Sequence, residues 1–117
     1  MTKTIEWMFC GLMAFATAGH LYGTFVLTTV GSGLFVWSLA GVLAAALIAA
    51  LNVLRASRQD DAPLAWIALT GSLCWVAIAV LFGLSIGNVF DPRVLVHVVA
   101  AAGLSYFSFL TVRGSLG

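Results

Sequence analysis

Long apolar segments with almost no charge constrain this chain more than any other feature. The segment GVLAAALIAALNVL, residues 41–54, contains a single asparagine and no charged residue. Across the chain, 62% of residues are hydrophobic and 8% are charged, whereas about a quarter of the residues in a soluble domain are charged. So few charges cannot cover a water-exposed surface. The sequence therefore predicts an integral membrane protein.

Breaks rich in glycine, proline and aspartate divide the 117 residues into four apolar runs. Each run has close to the roughly 20 residues that a helix needs to cross about 30 Å of hydrocarbon. The runs do not alternate in polarity as spanning strands would, and their many alanines favour helix. We predict one all-α domain, a bundle of four transmembrane helices, with spans at about residues 5–30, 34–54, 63–86 and 92–112.

Two of the predicted helices have recognisable starts. Asp61 lies two residues before Pro63, and Asp91 directly precedes Pro92. An aspartate side chain accepts hydrogen bonds from the free N–H groups of a first turn, where proline fits because it has no N–H to lose. We therefore interpret both aspartates as helix caps.

Lysine and arginine predict the orientation of the helices. With four spans, both termini lie on the same side as the central loop. That side carries four basic residues and the other carries only Arg93, an imbalance typical of a cytoplasmic side. We expect a multi-pass protein of the bacterial inner membrane, N-in and C-in. The four basic residues are Lys3, Arg55, Arg58 and Arg113.

Small residues predict which helix faces meet. In lipid, helices associate through close packing, so small side chains mark their interfaces. Each predicted helix has a small or weakly polar stripe opposite bulky side chains, and we expect the stripes to face inward. Two glycine pairs have GxxxG spacing, which fits internal packing or self-association. The predicted packing residues are Gly19, Gly23, Gly41, Ala45, Gly83, Gly87, Ala100 and Ala101.

A faint internal repeat is also compatible with the sequence. Gly11 and Gly71 are sixty positions apart, as are Gly23 and Gly83. Helices one and two would then be related to helices three and four as a 2+2 parallel repeat, an arrangement that some transporters use.

Two histidines are the main candidates for chemistry, because ionisable residues inside a membrane are costly. His20 and His97 fall in the outer half of the first and fourth spans, about one helical turn apart in depth. They fit interhelical hydrogen bonding, a proton-linked transport role, or ligation of a haem or metal by two neutral imidazoles. Glu6, near the cytoplasmic end of its span, is expected to reach the lipid headgroups.

The sequence indicates few other sites. The two cysteines lack metal-binding spacing, and the motifs of conventional enzymes are absent. Scattered basic residues and a net charge of +1 give no indication of a nucleic-acid partner. A polar pathway through the bundle would be lined by Thr24, Asn52, Asn88 and Ser108.

These observations predict a small membrane protein that acts as an oligomeric or accessory component, with or without a transport pathway and without conventional enzyme activity. Its expected partners are the lipid bilayer and further copies of the chain or a larger membrane complex. The alternative is a b-type haem or metal protein in electron transfer, with His20 and His97 as ligands. A subunit that binds lipid or quinone is a third hypothesis.

Overall fold

The computed structural model describes residues 2–116, which form four helices: α1 (Thr2–Leu27), α2 (Gly33–Ser57), α3 (Ala62–Ser85) and α4 (Pro92–Leu116). At 1.5 Å per residue, each helix is about 36–39 Å long. All four are long and apolar enough to cross a membrane. The predicted all-helical, four-helix organisation is confirmed.

Several helix ends differ from the prediction. The first helix ends at Leu27 instead of near Val30, because the chain turns at residues 28–32, where Gly31 has a φ of 85°. Ser32 then caps α2, its Oγ accepting a hydrogen bond of 3.2 Å from the amide of Phe35. Because Val30 is apolar, its residue type does not show whether it belongs to the helix or to the turn. Polar residues extend α2 and α4 beyond their predicted ends.

Both predicted aspartate caps are confirmed. Asp61 Oδ1 accepts a hydrogen bond of 3.0 Å from the Leu64 amide. Asp91 Oδ1 accepts one of 2.9 Å from the Arg93 amide. These bonds satisfy first-turn N–H groups that have no partner within the helix.

The helices run antiparallel in sequence order and close into a four-membered bundle. The first and third helices each pack against α2 and α4, and α2 also touches α4 across the centre. Residues 2–6, the 58–61 loop and residues 111–116 therefore share one end of the bundle, called the terminal end below. The 28–32 and 86–91 loops lie at the opposite end.

The bundle buries polar residues and exposes large apolar ones, the inverse of a soluble protein. Phe15, Trp37 and Phe90 are more than 70% exposed. Lipid, unlike water, carries no penalty for such a surface. The interior polar residues include Thr24, Asn52, Arg55, Ser72 and Ser108, each 2% exposed or less.

Four of the predicted packing residues lie inside the bundle. Ala45, Ala100 and Ala101 are fully buried. Gly41 lies against the His20 ring, where an added Cβ would come within 3.0 Å of the ring carbon Cε1. The absence of a side chain on Gly41 therefore allows α1 and α2 to approach with the imidazole between them.

Gly19 and Gly23 lie elsewhere than on the expected inward stripe. Gly19 is exposed, and a Cβ there would meet no atom within 4 Å. A Cβ on Gly23 would meet only Leu27 of the same helix. The Gly19–Gly23 face thus points out of the bundle, so that only the self-association interpretation still involves this pair.

Gly83 and Gly87 are not a GxxxG packing pair, because Gly87 lies beyond α3. The amide of Asn88 bonds the Gly83 carbonyl at 2.9 Å, and the amide of Gly87 bonds the Leu84 carbonyl at 3.1 Å. With a φ of 72° at Gly87, this is a Schellman cap. Gly83 is buried, and a Cβ there would come within 2.9 Å of the Val89 backbone. Its lack of a side chain therefore allows the 86–91 loop to pack closely against α3.

The glycines behind the proposed repeat have unlike surroundings. Gly11 and Gly23 point outward, whereas Gly71 packs near Ile48 and Gly83 against the 86–91 loop. Their spacing therefore does not reflect equivalent packing in the two halves.

Candidate functional site

The two histidines meet between α1 and α4. Their ring centroids are 5.8 Å apart, with the planes at 81°. His97 is buried and His20 half-buried. Edge-to-face contact is a favourable arrangement for aromatic rings.

Trp75 fixes the state of the His97 ring. Its indole Nε1 donates a hydrogen bond of 3.1 Å to His97 Nδ1. An indole N–H only donates, so Nδ1 is the acceptor and the proton of the neutral imidazole lies on Nε2. Trp75 is 5% exposed and lies inside α3, so its bond joins α3 to α4.

His20 belongs to a second hydrogen-bonded group, which joins α1 to α2. Its Nε2 lies 3.4 Å from Ser38 Oγ, and Ser38 Oγ lies 2.6 Å from Thr24 Oγ1. Thr24 also donates to the His20 backbone carbonyl at 2.9 Å. Thr24, a predicted pathway residue, therefore supports the histidine layer.

Asn52 and Ser108, two further predicted pathway residues, bond to each other in a separate layer. Ser108 Oγ donates to Asn52 Oδ1 at 3.0 Å. Asn52 Nδ2 donates to Ser72 Oγ at 2.9 Å and to the Ile48 carbonyl at 2.9 Å. These bonds tie α2, α3 and α4 together. Ser72 is a partner that the sequence analysis did not identify.

A hydrophobic cluster lies between the histidine layer and the asparagine layer. Met13, Ala45 and Leu104 are fully buried in it. The cluster also contains Cys10, Trp75, Ala100 and Ala101. The polar residues of the interior therefore form separate layers rather than one continuous row. Asn88, the fourth predicted pathway residue, is exposed in the 86–91 loop, where its side chain accepts from the Phe90 amide at 3.0 Å.

A buried ion pair at the terminal end is the main feature that the sequence analysis missed. Glu6 Oε1 lies 2.5 Å from Arg55 Nη1. Glu6 is 5% exposed and Arg55 is fully buried. Neither residue thus has the role expected for it: Glu6 is buried against Arg55 instead of projecting outward from the bundle, and Arg55 is not a loop residue. The sequence could have indicated this pair, because Glu6 and Arg55 carry opposite charges at the same end of two neighbouring helices.

Thr111 and Gln59 extend this ion pair. Arg55 Nη1 also donates to Thr111 Oγ1 at 3.3 Å. Gln59 Nε2 donates to Glu6 Oε1 at 3.4 Å, and Thr111 Oγ1 donates to Gln59 Oε1 at 3.1 Å. The four side chains, from α1, α2, the 58–61 loop and α4, are called the terminal cluster below.

Within the described part of the chain, three of the five N–H donors of Arg55 are unpaired, because Nε carries one and Nη2 carries two. Its Nε and Nη2 atoms are buried and have no hydrogen-bond partner among residues 2–116. Buried donors on a charged group are costly when unpaired. Arg55 and Glu6 are therefore joined by a single hydrogen bond rather than by the two parallel bonds of a bidentate pair.

A half-open cavity of about 260 Å³ adjoins the terminal cluster. Glu6, Gln59 and Thr111 supply its polar wall, and Phe107 and Leu110 part of its apolar wall. Thr2 and Gly114 complete the lining. A second, apolar groove of about 320 Å³ runs along the outside of α1, lined by Ile5, Met8, Phe9 and Leu12.

Arg93 and Asp91 form an exposed pair at the opposite end. Arg93 Nε and Nη2 donate to the two carboxylate oxygens at 3.0 and 2.9 Å. These bonds, together with the one from the Arg93 amide, hold the pKa of the Asp91 carboxyl below its usual value. The cap of α4 is therefore a charged one.

Comparisons with protein-family models, with curated proteins and with solved structures give no match to this chain.

Proposed function

We propose that this chain is a multi-pass protein of the bacterial inner membrane, with both termini in the cytoplasm, that acts as an oligomeric or accessory component of a membrane assembly. The observation that supports this most is the direction of the side chains. Polar groups are turned inward and bond each other across helices, while large apolar groups are turned outward. Such a bundle is suited to present a fixed surface to lipid and to neighbouring proteins.

A transport role has less support from the interior. Both N–H donors of Asn52 are used in bonds to Ser72 and to its own helix, and its side-chain oxygen accepts a bond from Ser108. The hydrophobic cluster separates this layer from the histidines. A substrate moving along the axis would have to break interhelical bonds and part close-packed apolar side chains. An accessory or structural role requires neither.

The assembly state tests the proposal directly. The protein, with a chain mass of 12.3 kDa, is extracted with its surrounding lipid in polymer nanodiscs, and the mass of the protein component is measured. We expect a multiple of the chain mass or a complex with other membrane proteins. Monomers from native membranes, with no co-purifying protein, would contradict it.

The outward-facing glycines supply a matched pair of variants. A Gly19→Leu substitution adds bulk in open space and is expected to weaken self-association without unfolding the bundle. Ala18→Leu changes the neighbouring exposed position, about 100° away around the helix. Equal effects of the two variants would argue against a contact through the Gly19–Gly23 face.

The second candidate is a b-type haem protein, favoured by the contact of His20 with His97. To bind a haem iron through Nδ1, His97 would have to give up the hydrogen bond that it accepts from Trp75. To bind the iron through Nε2, His97 would have to lose the proton on that nitrogen. An absorption spectrum of protein from haem-replete cells tests this idea. A Soret band that is lost in His20→Ala and in His97→Ala would support it, and a colourless preparation would overturn it.

A further inference from the structure

The terminal cluster and the two cavities beside it have the chemistry of a phospholipid site. We propose that they bind one phosphatidylethanolamine molecule, its ammonium group in the 260 Å³ cavity and one acyl chain along the apolar groove of α1. This inference rests on the proposed membrane location, and it names a specific lipid rather than the bilayer as a whole.

The polar cavity presents acceptors for a cation. Glu6 lines it, whereas Arg55, the partner of Glu6, does not. Only one carboxylate oxygen, Oε1, takes bonds from Arg55 and Gln59. The other oxygen, Oε2, accepts none from residues 2–116, so a ligand in the cavity meets a carboxylate with spare capacity. A primary ammonium, with three N–H donors, matches this wall.

The size of the cavity restricts the ligand. Its volume of about 260 Å³ is below the range of about 300–1,000 Å³ typical of sites that enclose a whole drug-sized molecule. A half-open space of this size fits a small lipid headgroup whose acyl chains remain outside the cavity, in the bilayer. Phe107 adds an aromatic wall, which also favours a cation.

Two basic residues lie at the same end of the bundle as the cavity. Lys3 follows the lining residue Thr2, and Arg113 precedes the lining residue Gly114. Both are exposed at the terminal end. The Glu6 carboxylate lines the cavity and the two basic residues lie on the exposed surface of the same end, so a zwitterionic headgroup has a partner there for each of its charges. This complementarity selects a phospholipid over a simple amine.

The apolar groove continues the site toward the middle of α1. Phe107 lines the cavity and Phe9 lines the groove. The centroids of these two rings are 6.2 Å apart. Phe9 in turn packs against Gly103, which has no side chain to displace it. The aromatic pair therefore links a polar compartment to an acyl-sized groove.

Native mass spectrometry of the detergent-purified full chain tests the proposal with defined lipids. Phosphatidylethanolamine is compared with phosphatidylcholine, whose methylated nitrogen has no N–H donor, and with phosphatidylglycerol, which has no cation. We expect about tenfold stronger retention of phosphatidylethanolamine, the factor that one charge-assisted hydrogen bond supplies. Equal retention of the three lipids, or preference for either of the other two, would overturn the proposal.

Two disruptive variants and one control variant locate the binding. Gly114→Leu fills the cavity from a position with no atom within 4 Å of the new Cβ, and it should abolish the preference. Ser115→Leu, at the adjacent exposed position outside the lining, should retain it. Glu6→Gln should also abolish the preference. Should that variant fail to fold, the Gly114 and Ser115 pair decides.

A competition experiment distinguishes a lipid ligand from a free amine. Soluble ethanolamine, added in excess, should not displace the lipid, since it lacks the phosphate and the acyl chains. Displacement of the lipid by this excess of ethanolamine would overturn the lipid assignment. The outcome is independent of assembly state: if the chain is a monomer without co-purifying protein in native nanodiscs but still selects phosphatidylethanolamine, the assembly proposal fails and this one stands.

Discussion

The fully buried guanidinium of Arg55 has one carboxylate to balance its charge. Removing one partner of a buried pair leaves an uncompensated charge and costs about 3–5 kcal/mol, whereas replacing both partners costs much less. Glu6 borders a cavity while Arg55 does not. The loss of Glu6 should therefore be the more damaging of the two single changes.

We expect Glu6→Gln to lower the free energy of unfolding by about 3–5 kcal/mol and Arg55→Gln to lower it less. The double variant should recover most of the loss. Reversible unfolding in mixed micelles measures all three. A double variant whose loss equals the sum of the single losses would show that the pair is not coupled.

The Trp75–His97 bond is expected to contribute about 1 kcal/mol, in the range measured for hydrogen bonds between membrane helices. A double-mutant cycle of Trp75→Phe and His97→Leu isolates it, because phenylalanine keeps an aromatic ring and removes the N–H donor. The same unfolding assay gives the coupling energy. Strict additivity of the two substitutions would contradict the bond.

The helix elements are ended by particular backbone conformations. Gly87 has a left-handed φ of 72° at the end of α3, which a residue with a Cβ adopts at a cost of about 1 kcal/mol or more. We expect Gly87→Ala to destabilise the protein by that amount. Gly19→Ala, at an exposed position inside α1, should instead be neutral or stabilising by up to about 1 kcal/mol. Thermal unfolding of the two variants in the same detergent provides the comparison.

The start of α4 should respond to acid. Because Arg93 lowers the pKa of the folded Asp91 carboxyl, the pair stabilises the protein above the ordinary aspartate pKa of about 3.9. The contribution is lost as the pH falls through the lower folded value. Asp91→Asn keeps an acceptor for the cap and removes the charge. Its melting temperature should be below that of the parent at pH 6, and the difference should shrink as the pH falls below the ordinary aspartate pKa of about 3.9. A difference that stays constant from pH 6 to pH 2 would refute this account.

Sequence patterns locate the helices better than they orient them. The caps at Asp61 and Asp91 can be identified from short-range chemistry, because an aspartate before a proline has few other uses at a helix start. The end of α1 is harder to identify, since the apolar Val30 lies within the turn that follows Leu27. Gly19 and Gly41 are both helical glycines, yet one faces outward and the other holds an imidazole. Composition alone does not distinguish them.

For the whole molecule, the distribution of basic residues predicts the side of the membrane. Arg55 is buried in an ion pair, which leaves three free basic side chains at the terminal end and Arg93 at the other. The excess still favours cytoplasmic termini. A fluorescent reporter that folds only in the cytoplasm should be bright after the C-terminus and dark in the 86–91 loop. The reverse pattern would show that the charge rule fails for this chain.

The sequence by itself determined that the chain forms four long apolar helices, where two of them begin, and that its few polar residues are costly enough to need partners. The tertiary structure decided which partners they have: His97 with Trp75, Asn52 with Ser72 and Ser108, and Glu6 with Arg55. Spacing along a helix fixes which residues share a face, but not the rotation of that helix against its neighbours. In lipid, apolar side chains are equally stable inside and outside the bundle, so hydrophobicity cannot set that rotation. Close packing and interhelical hydrogen bonds set it, and both appear only when the helices are together.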